Sequence, residues 1–138
     1  MNNLLILQPA AALALFTLTV LLLIPIRRMQ PQLANEIEED DFKYGESARV
    51  PAYVSIPNRN YMNLLELPVL FYAACLLIFG INQLDATYRY LAWGYVALRV
   101  VHSTIHLTYN RVRHRVLVFA ISNVVLTVIW VRVALALW

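Results

Sequence analysis

Long apolar runs alternate with polar stretches along this chain. A bilayer core of about 30 Å requires about 20 mostly apolar residues in helix. Four stretches reach that length: 4–26, 61–81, 87–109 and 116–138. The first is broken only by the polar side chains Gln8, Thr17 and Thr19. The second carries Asn63 and Glu66 in its opening turns and is then free of charge from Leu67 onward. The third carries Arg99, His102 and His106, and the fourth a single charge, Arg132. Backbone groups in lipid must pair within the segment, so these runs predict helices. The expected fold is all-α: a single membrane domain over 1–138, an integral membrane four-helix bundle with antiparallel up-down helices.

The connections support that arrangement. Residues 27–60 contain the acidic run Glu36, Glu38, Glu39, Asp40 and Asp41, with prolines at 31, 51 and 57, and predict an aqueous loop. The turns at 82–86 and 110–115 are short, so the segments they join are antiparallel neighbours. The loops after the first and third spans hold Arg27, Arg28, Lys43, Arg49, Arg59, Arg111, Arg113 and Arg115, against Arg89 and Arg132 on the other side. This positive-inside bias places loops 27–60 and 110–115 in the cytoplasm. Tyr88, Tyr90, Trp93, Trp130 and Trp138 fall near the outward ends, where interfacial aromatics gather.

Composition agrees. Of 138 residues, 61% are hydrophobic and 14% charged, against roughly 25% charged in soluble domains. A net charge of +3, confined largely to loops, does not suggest a nucleic-acid partner. The one cysteine, Cys75, sits in an apolar run as a small packing residue. The N-terminal apolar run exceeds the roughly 7–15 residues of a signal peptide's core, so it is expected to be a retained span.

Charges at membrane depth cost about 2.5–3.5 kcal/mol on insertion scales and need partners or a wet cavity. Arg59, Asn63 and Glu66, spaced four then three, share one helix face. Arg99, His102, His106 and Arg113 share another. Two polar stripes on adjacent helices suggest a common cavity toward the cytoplasmic side. Several readings stand open. Glu66 and Arg99 could be a structural ion pair, and His102 and His106 could be hydrogen-bonded within the bundle or ligate a metal with Glu66. The 111–115 cluster could serve topology alone, and Arg132 could snorkel toward the outer interface. Pro68 removes the hydrogen bond to the Leu64 carbonyl, which predicts either a bend around the cavity or an ordinary kink.

The pattern Arg59-x3-Asn63-x2-Glu66 with Pro68 following resembles the second-helix signature of the MAPEG family, membrane-associated proteins of eicosanoid and glutathione metabolism. Arg99-x2-His102-x3-His106 resembles its third-helix pattern, with His106 where many members carry Tyr and Tyr109 three residues later. Pro68 also follows Glu66 more closely than is common in the family. The resemblance spans essentially the whole chain. It implies a homotrimer with glutathione bound between subunits near the cytoplasmic face. Arg59, Asn63 and Glu66 would hold the charged and amide groups of the tripeptide. Arg99, His102, His106 and Tyr109 would line the site from helix three. Arg28 and Arg113 or Arg115 would flank the thiol, the latter two as catalytic candidates that stabilise the thiolate, Arg113 first and Arg115 next. The implied activity is a glutathione transferase or peroxidase acting on a lipophilic small-molecule substrate that arrives from the lipid bilayer. A non-catalytic lipid- or partner-binding protein on the same scaffold is the second reading, with the acidic first loop as a docking surface. The expected location is a bacterial inner membrane.

Overall fold

A computed structural model describes residues 2–138. After a short 3-10 turn at Asn3–Ile6 come helices α1 (Leu7–Leu33), α2 (Ala52–Leu65), α3 (Pro68–Gly80), α4 (Ala86–Leu107) and α5 (Val112–Leu137), with a second 3-10 turn at Glu39–Phe42. Helices α2 and α3 are two halves of one rod, so the chain forms a four-helix bundle. Helix α4 packs against α1, α2 and α5, and α3 lies against α1 and α5.

Each outer rod buries a narrow stripe and exposes the rest. On α1 the buried positions are Pro9, Leu13, Thr17, Val20 and Ile24, one residue per turn. On α5 they are Ser122, Leu126, Ile129 and Val133. Leu15, Leu18, Leu22, Val124, Val131 and Leu135 face outward, as lipid-facing positions do when hydrocarbon is the solvent. Asn3–Leu33, Ala52–Gly80 and Val112–Leu137 are long and apolar enough to cross a membrane. Helix α4 is 22 residues long but carries Arg89, Arg99, His102 and His106. Its inward face, Tyr88, Ala92, Tyr95, Arg99, His102 and His106, is buried, which keeps most of that polarity away from lipid. Phe71 stacks on Tyr95 with ring centroids 4.6 Å apart, joining α3 to α4.

Helices continue beyond the apolar runs that announced them. Helix α1 extends to Leu33 and α2 begins at Ala52, so the connection between them is 34–51, shorter than the predicted loop. Its centre is Asp41, which accepts the Glu38 N–H at 2.8 Å, the Ser47 hydroxyl at 2.7 Å and Arg49 Nε at 3.1 Å. Asn35, Asn82 and Asn110, after α1, α3 and α4, adopt φ values of 56°, 57° and 47°. The left-handed conformation that asparagine tolerates ends each of these helices.

At the end of the bundle that carries the turn before α4, Asp85 caps α4 by accepting the Tyr88 N–H at 2.7 Å. Arg132 donates to the other Asp85 oxygen at 2.5 Å and lies 4.6 Å from the Tyr88 ring centroid. Arg132 therefore staples α5 to the start of α4.

Candidate functional site

Pro68 has no N–H to give the Leu64 carbonyl, and α2 stops at Leu65, with Glu66 at ψ −99°. The outcome is a break rather than a gentle bend. In a continuous helix the Asn63 carbonyl would accept from the Leu67 N–H. Here it accepts Arg99 Nη2 at 2.8 Å, and Asn63 Oδ1 accepts the same nitrogen at 2.5 Å. The helix break thus provides part of the cradle for a guanidinium that is 0% exposed.

The open reading of a Glu66–Arg99 ion pair is corrected by this geometry. Glu66 is exposed at the break, and the ion pairs among the described residues are Arg28–Glu46, Arg49–Glu38, Arg49–Asp41 and Arg132–Asp85. Arg99 is therefore a buried cation held by neutral oxygens. Its Nε and Nη1 are buried with no hydrogen-bond partner among the described residues. Phe119 of α5 covers one side, its ring centroid 5.6 Å from Arg99 Cζ.

His102 and His106 follow Arg99 along the buried face of α4. Their ring centroids are 6.0 Å apart, and His102 lies 5.8 Å from Phe119. Both Nδ1 atoms are buried and unpaired. Among the described residues no three His, Cys, Asp or Glu side chains converge to hold a metal.

Two cavities adjoin this cluster. One, about 190 Å³, is lined by Asn63, His102, Arg115, Val116 and Phe119. The other, about 250 Å³, is lined by Arg59 and Asn110 among others. Arg115 Nη1 donates to Asn110 Oδ1 at 2.7 Å, so one side-chain hydrogen bond links the lining of the two. Arg113 and Arg115 are two positions apart, about 200° around a helix. One faces the bundle only if the other faces away: Arg115 is half-buried in the cavity wall and Arg113 is exposed.

The remaining predicted residues lie apart from this centre. Arg59 and Glu66 are exposed on the α2 side. Tyr109 is exposed, with its hydroxyl 3.2 Å from His114 Nδ1. Arg28 packs into the 34–51 connection, its Cζ 4.1 Å from the Phe42 ring and its Nη2 3.9 Å from Glu46. The single chain therefore assembles Asn63, Arg99, His102, His106 and Arg115, and presents Arg59, Glu66 and Arg113 on its surface.

With the geometry of these stripes in view, comparison with known families gives one match: the model of the MAPEG family covers residues 6–135. The chain belongs to the MAPEG family. No curated protein and no solved structure matches it. In this MAPEG chain several polar residues had drawn no attention in the sequence. Asn60, Tyr95 and Ser103 are buried with unpaired side-chain polar atoms. Their signal was spacing: Tyr95 and Ser103 stand four residues either side of Arg99, and Asn60 three before Asn63. Asn110 and Phe119 had no such signal, because their places depend on how α5 returns across α4.

Proposed function

We propose that this MAPEG protein is a membrane-bound glutathione-dependent transferase or peroxidase acting on lipophilic substrates. The observation that carries the reading is the buried Arg99 guanidinium, fixed by Asn63, with Nε and Nη1 unpaired and no carboxylate in an ion pair with it among the described residues. A buried cation of this kind calls for an anion. Glutathione supplies two carboxylates and an ammonium, which suit arginine forks and a single acid such as Glu66. Arg59 fits the second carboxylate.

Each cavity is smaller than the roughly 300 Å³ at which ordinary ligand pockets begin. A tripeptide would need both, or one of them completed by another subunit. The outward placement of Arg59, Glu66 and Arg113 supports a site closed by a neighbouring copy, as in a homotrimer. In that assembly Arg115 acts from within the cavity and Arg113 from its rim. Either guanidinium lowers the thiol pKa, and the thiolate is the nucleophile. In transfer its sulfur attacks an electrophilic carbon and the leaving group departs. In peroxidase turnover two glutathione thiols reduce a hydroperoxide to an alcohol and water, forming a disulfide. Apolar outer faces give a lipophilic substrate a route from the bilayer. The arginine-rich end, with the 34–51 connection and the turn at 108–111, faces the cytoplasm, and a bacterial inner membrane suits this topology.

The test is turnover of reduced glutathione with 1-chloro-2,4-dinitrobenzene and with a lipid hydroperoxide, on protein purified in detergent. Activity reduced about 100-fold or more in Arg115→Ala is the expected result, with Arg113→Ala affected only if the rim contributes. Wild-type protein that is folded and inactive with both substrates would instead favour the lipid- or partner-binding reading. The exposure of Arg113 is the feature of the site that suits that second reading.

A further inference from the structure

Helix α4 ends at a strained corner whose side chain reaches across to α5. Asn110 holds φ at 47°, and its N–H donates to the Ile105 carbonyl at 2.8 Å, closing the end of α4. Its side-chain oxygen is then free to accept Arg115 Nη1 at 2.7 Å. Arg115 is five residues on, in the first turn of α5, and a flexible arginine stem there has many rotamers open to it. Tethered to Asn110, the guanidinium joins Asn63, His102 and Phe119 in one cavity wall, while Arg111 and Arg113 remain exposed. Asn110 also lines the cavity that contains Arg59.

We infer that Asn110 is a positioning residue: its side-chain oxygen aims the Arg115 guanidinium into the cavity that also holds Asn63 and His102, and so selects Arg115 from the basic run as the interior cation. This inference rests on the glutathione reading for its catalytic consequence, but the tether itself does not depend on that reading. Asparagine suits the corner twice. It tolerates the left-handed backbone, and its amide oxygen is a neutral acceptor that leaves the arginine's charge available to a thiolate.

Two substitutions separate side chain from backbone. Asn110→Gly keeps the left-handed corner without strain and deletes the acceptor. Asn110→Asp retains an acceptor oxygen at the same reach. With reduced glutathione and 1-chloro-2,4-dinitrobenzene, Asn110→Gly is expected to lower kcat by about 10–100-fold, the scale of a misplaced catalytic group. KM for the electrophile should stay within about twofold. Asn110→Asp, whose carboxylate still holds Arg115 but offsets its charge, should not restore kcat but should keep Arg115 as protected from chemical labelling as in wild type. A glycine variant with wild-type kcat, or an aspartate variant whose Arg115 is labelled as readily as the glycine variant's, overturns the inference. A ligand-free readout runs beside it: phenylglyoxal labelling followed by peptide mass spectrometry. Labelling of Arg115 should rise several-fold in Asn110→Gly and labelling of Arg113 should not change. Equal Arg115 labelling in wild type and variant removes the tether. If wild type turns over no glutathione while labelling still separates the variants, the glutathione reading fails and the positioning of Arg115 stands.

Discussion

Replacing Asn63 by leucine removes one of the two oxygens that hold Arg99, and leaves the backbone carbonyl at 2.8 Å. Hydrogen bonds to charged groups contribute about 1.5–3 kcal/mol. Interhelical polar contacts in membranes average nearer 0.6, with a maximum of about 1.7 kcal/mol, because the unfolded state in the membrane also finds partners. Arg99 is 0% exposed and cannot snorkel, which favours the upper part of the membrane range. Asn63→Leu should therefore cost about 1.5 kcal/mol, a factor of roughly ten in the folding equilibrium. The informative step is the double variant Asn63→Leu/Arg99→Met. Removing charge and partner together replaces a half-satisfied polar pair by apolar packing, which is often neutral or stabilising. The double variant should return to within about 0.5 kcal/mol of wild type or exceed it, while glutathione binding is lost in both. Equilibrium unfolding in mixed micelles titrated with sodium dodecyl sulfate, followed by tryptophan fluorescence, provides the comparison. Additive losses in the double variant, or an Asn63→Leu protein as stable as wild type, would refute this account of Arg99. A Glu66→Gln loss above about 1 kcal/mol would reinstate the ion pair with Glu66.

Three further outcomes follow from other parts of the fold. The Glu38 N–H and then the Ser47 hydroxyl hold the Asp41 carboxyl below its ordinary 3.8, with Arg49 adding to the effect against partial burial. A depressed folded-state pKa stabilises above the unfolded value and is lost as pH falls through the folded one. Hydrogen-exchange protection factors across 38–49 should thus be high near neutral pH and fall as pH drops below 3.8, whereas Asp41→Asn should be weakly protected throughout. At the start of α4, Asp85→Ala should cost about 1–2 kcal/mol as a lost helix cap, and Arg132→Ala under about 1 kcal/mol, since that pair is partly exposed; micelle unfolding distinguishes the two. Cys75 is 1% exposed, so N-ethylmaleimide should label it only in unfolded protein, and rapid labelling of the native state would contradict its place in the core.

Much of the architecture was legible because lipid imposes one rule on every segment. Apolar length and short polar turns at 82–86 and 110–115 sufficed for the bundle and its order. Helix ends were less legible. Helices α1 and α2 extend into polar sequence, where hydrogen bonding continues after hydrophobicity stops. The spacing of Asn63 and Glu66 assumed an unbroken helix. Pro68 invalidates it within two residues of Glu66, so Glu66 is exposed at the break and Asn63 becomes the hydrogen-bond partner of Arg99. In sequence Arg113 led Arg115, because its spacing continued the stripe of Arg99, His102 and His106; the start of a new helix at Val112 breaks that continuity, leaving Arg113 exposed and turning Arg115 inward. Asn110 was legible as a turn residue but not as the partner of Arg115, since that depends on a left-handed backbone meeting the next helix. The family resemblance, carried by Arg59, Asn63, Glu66, Arg99 and His102, holds over nearly the whole chain.

The central claim is that the polar stripes of α2 and α4 form a glutathione site. Isothermal titration of reduced glutathione into the detergent-purified protein, beside an Arg59→Ala/Glu66→Ala variant, tests it most directly. Neither Arg59 nor Glu66 has an ion-pair partner among the described residues, so the variant should fold as wild type does. Saturable binding by wild type that the variant loses is the predicted result. A folded wild type that releases no heat with glutathione, and gains no thermal stability from it, would contradict the claim and leave the stripes as contacts between helices.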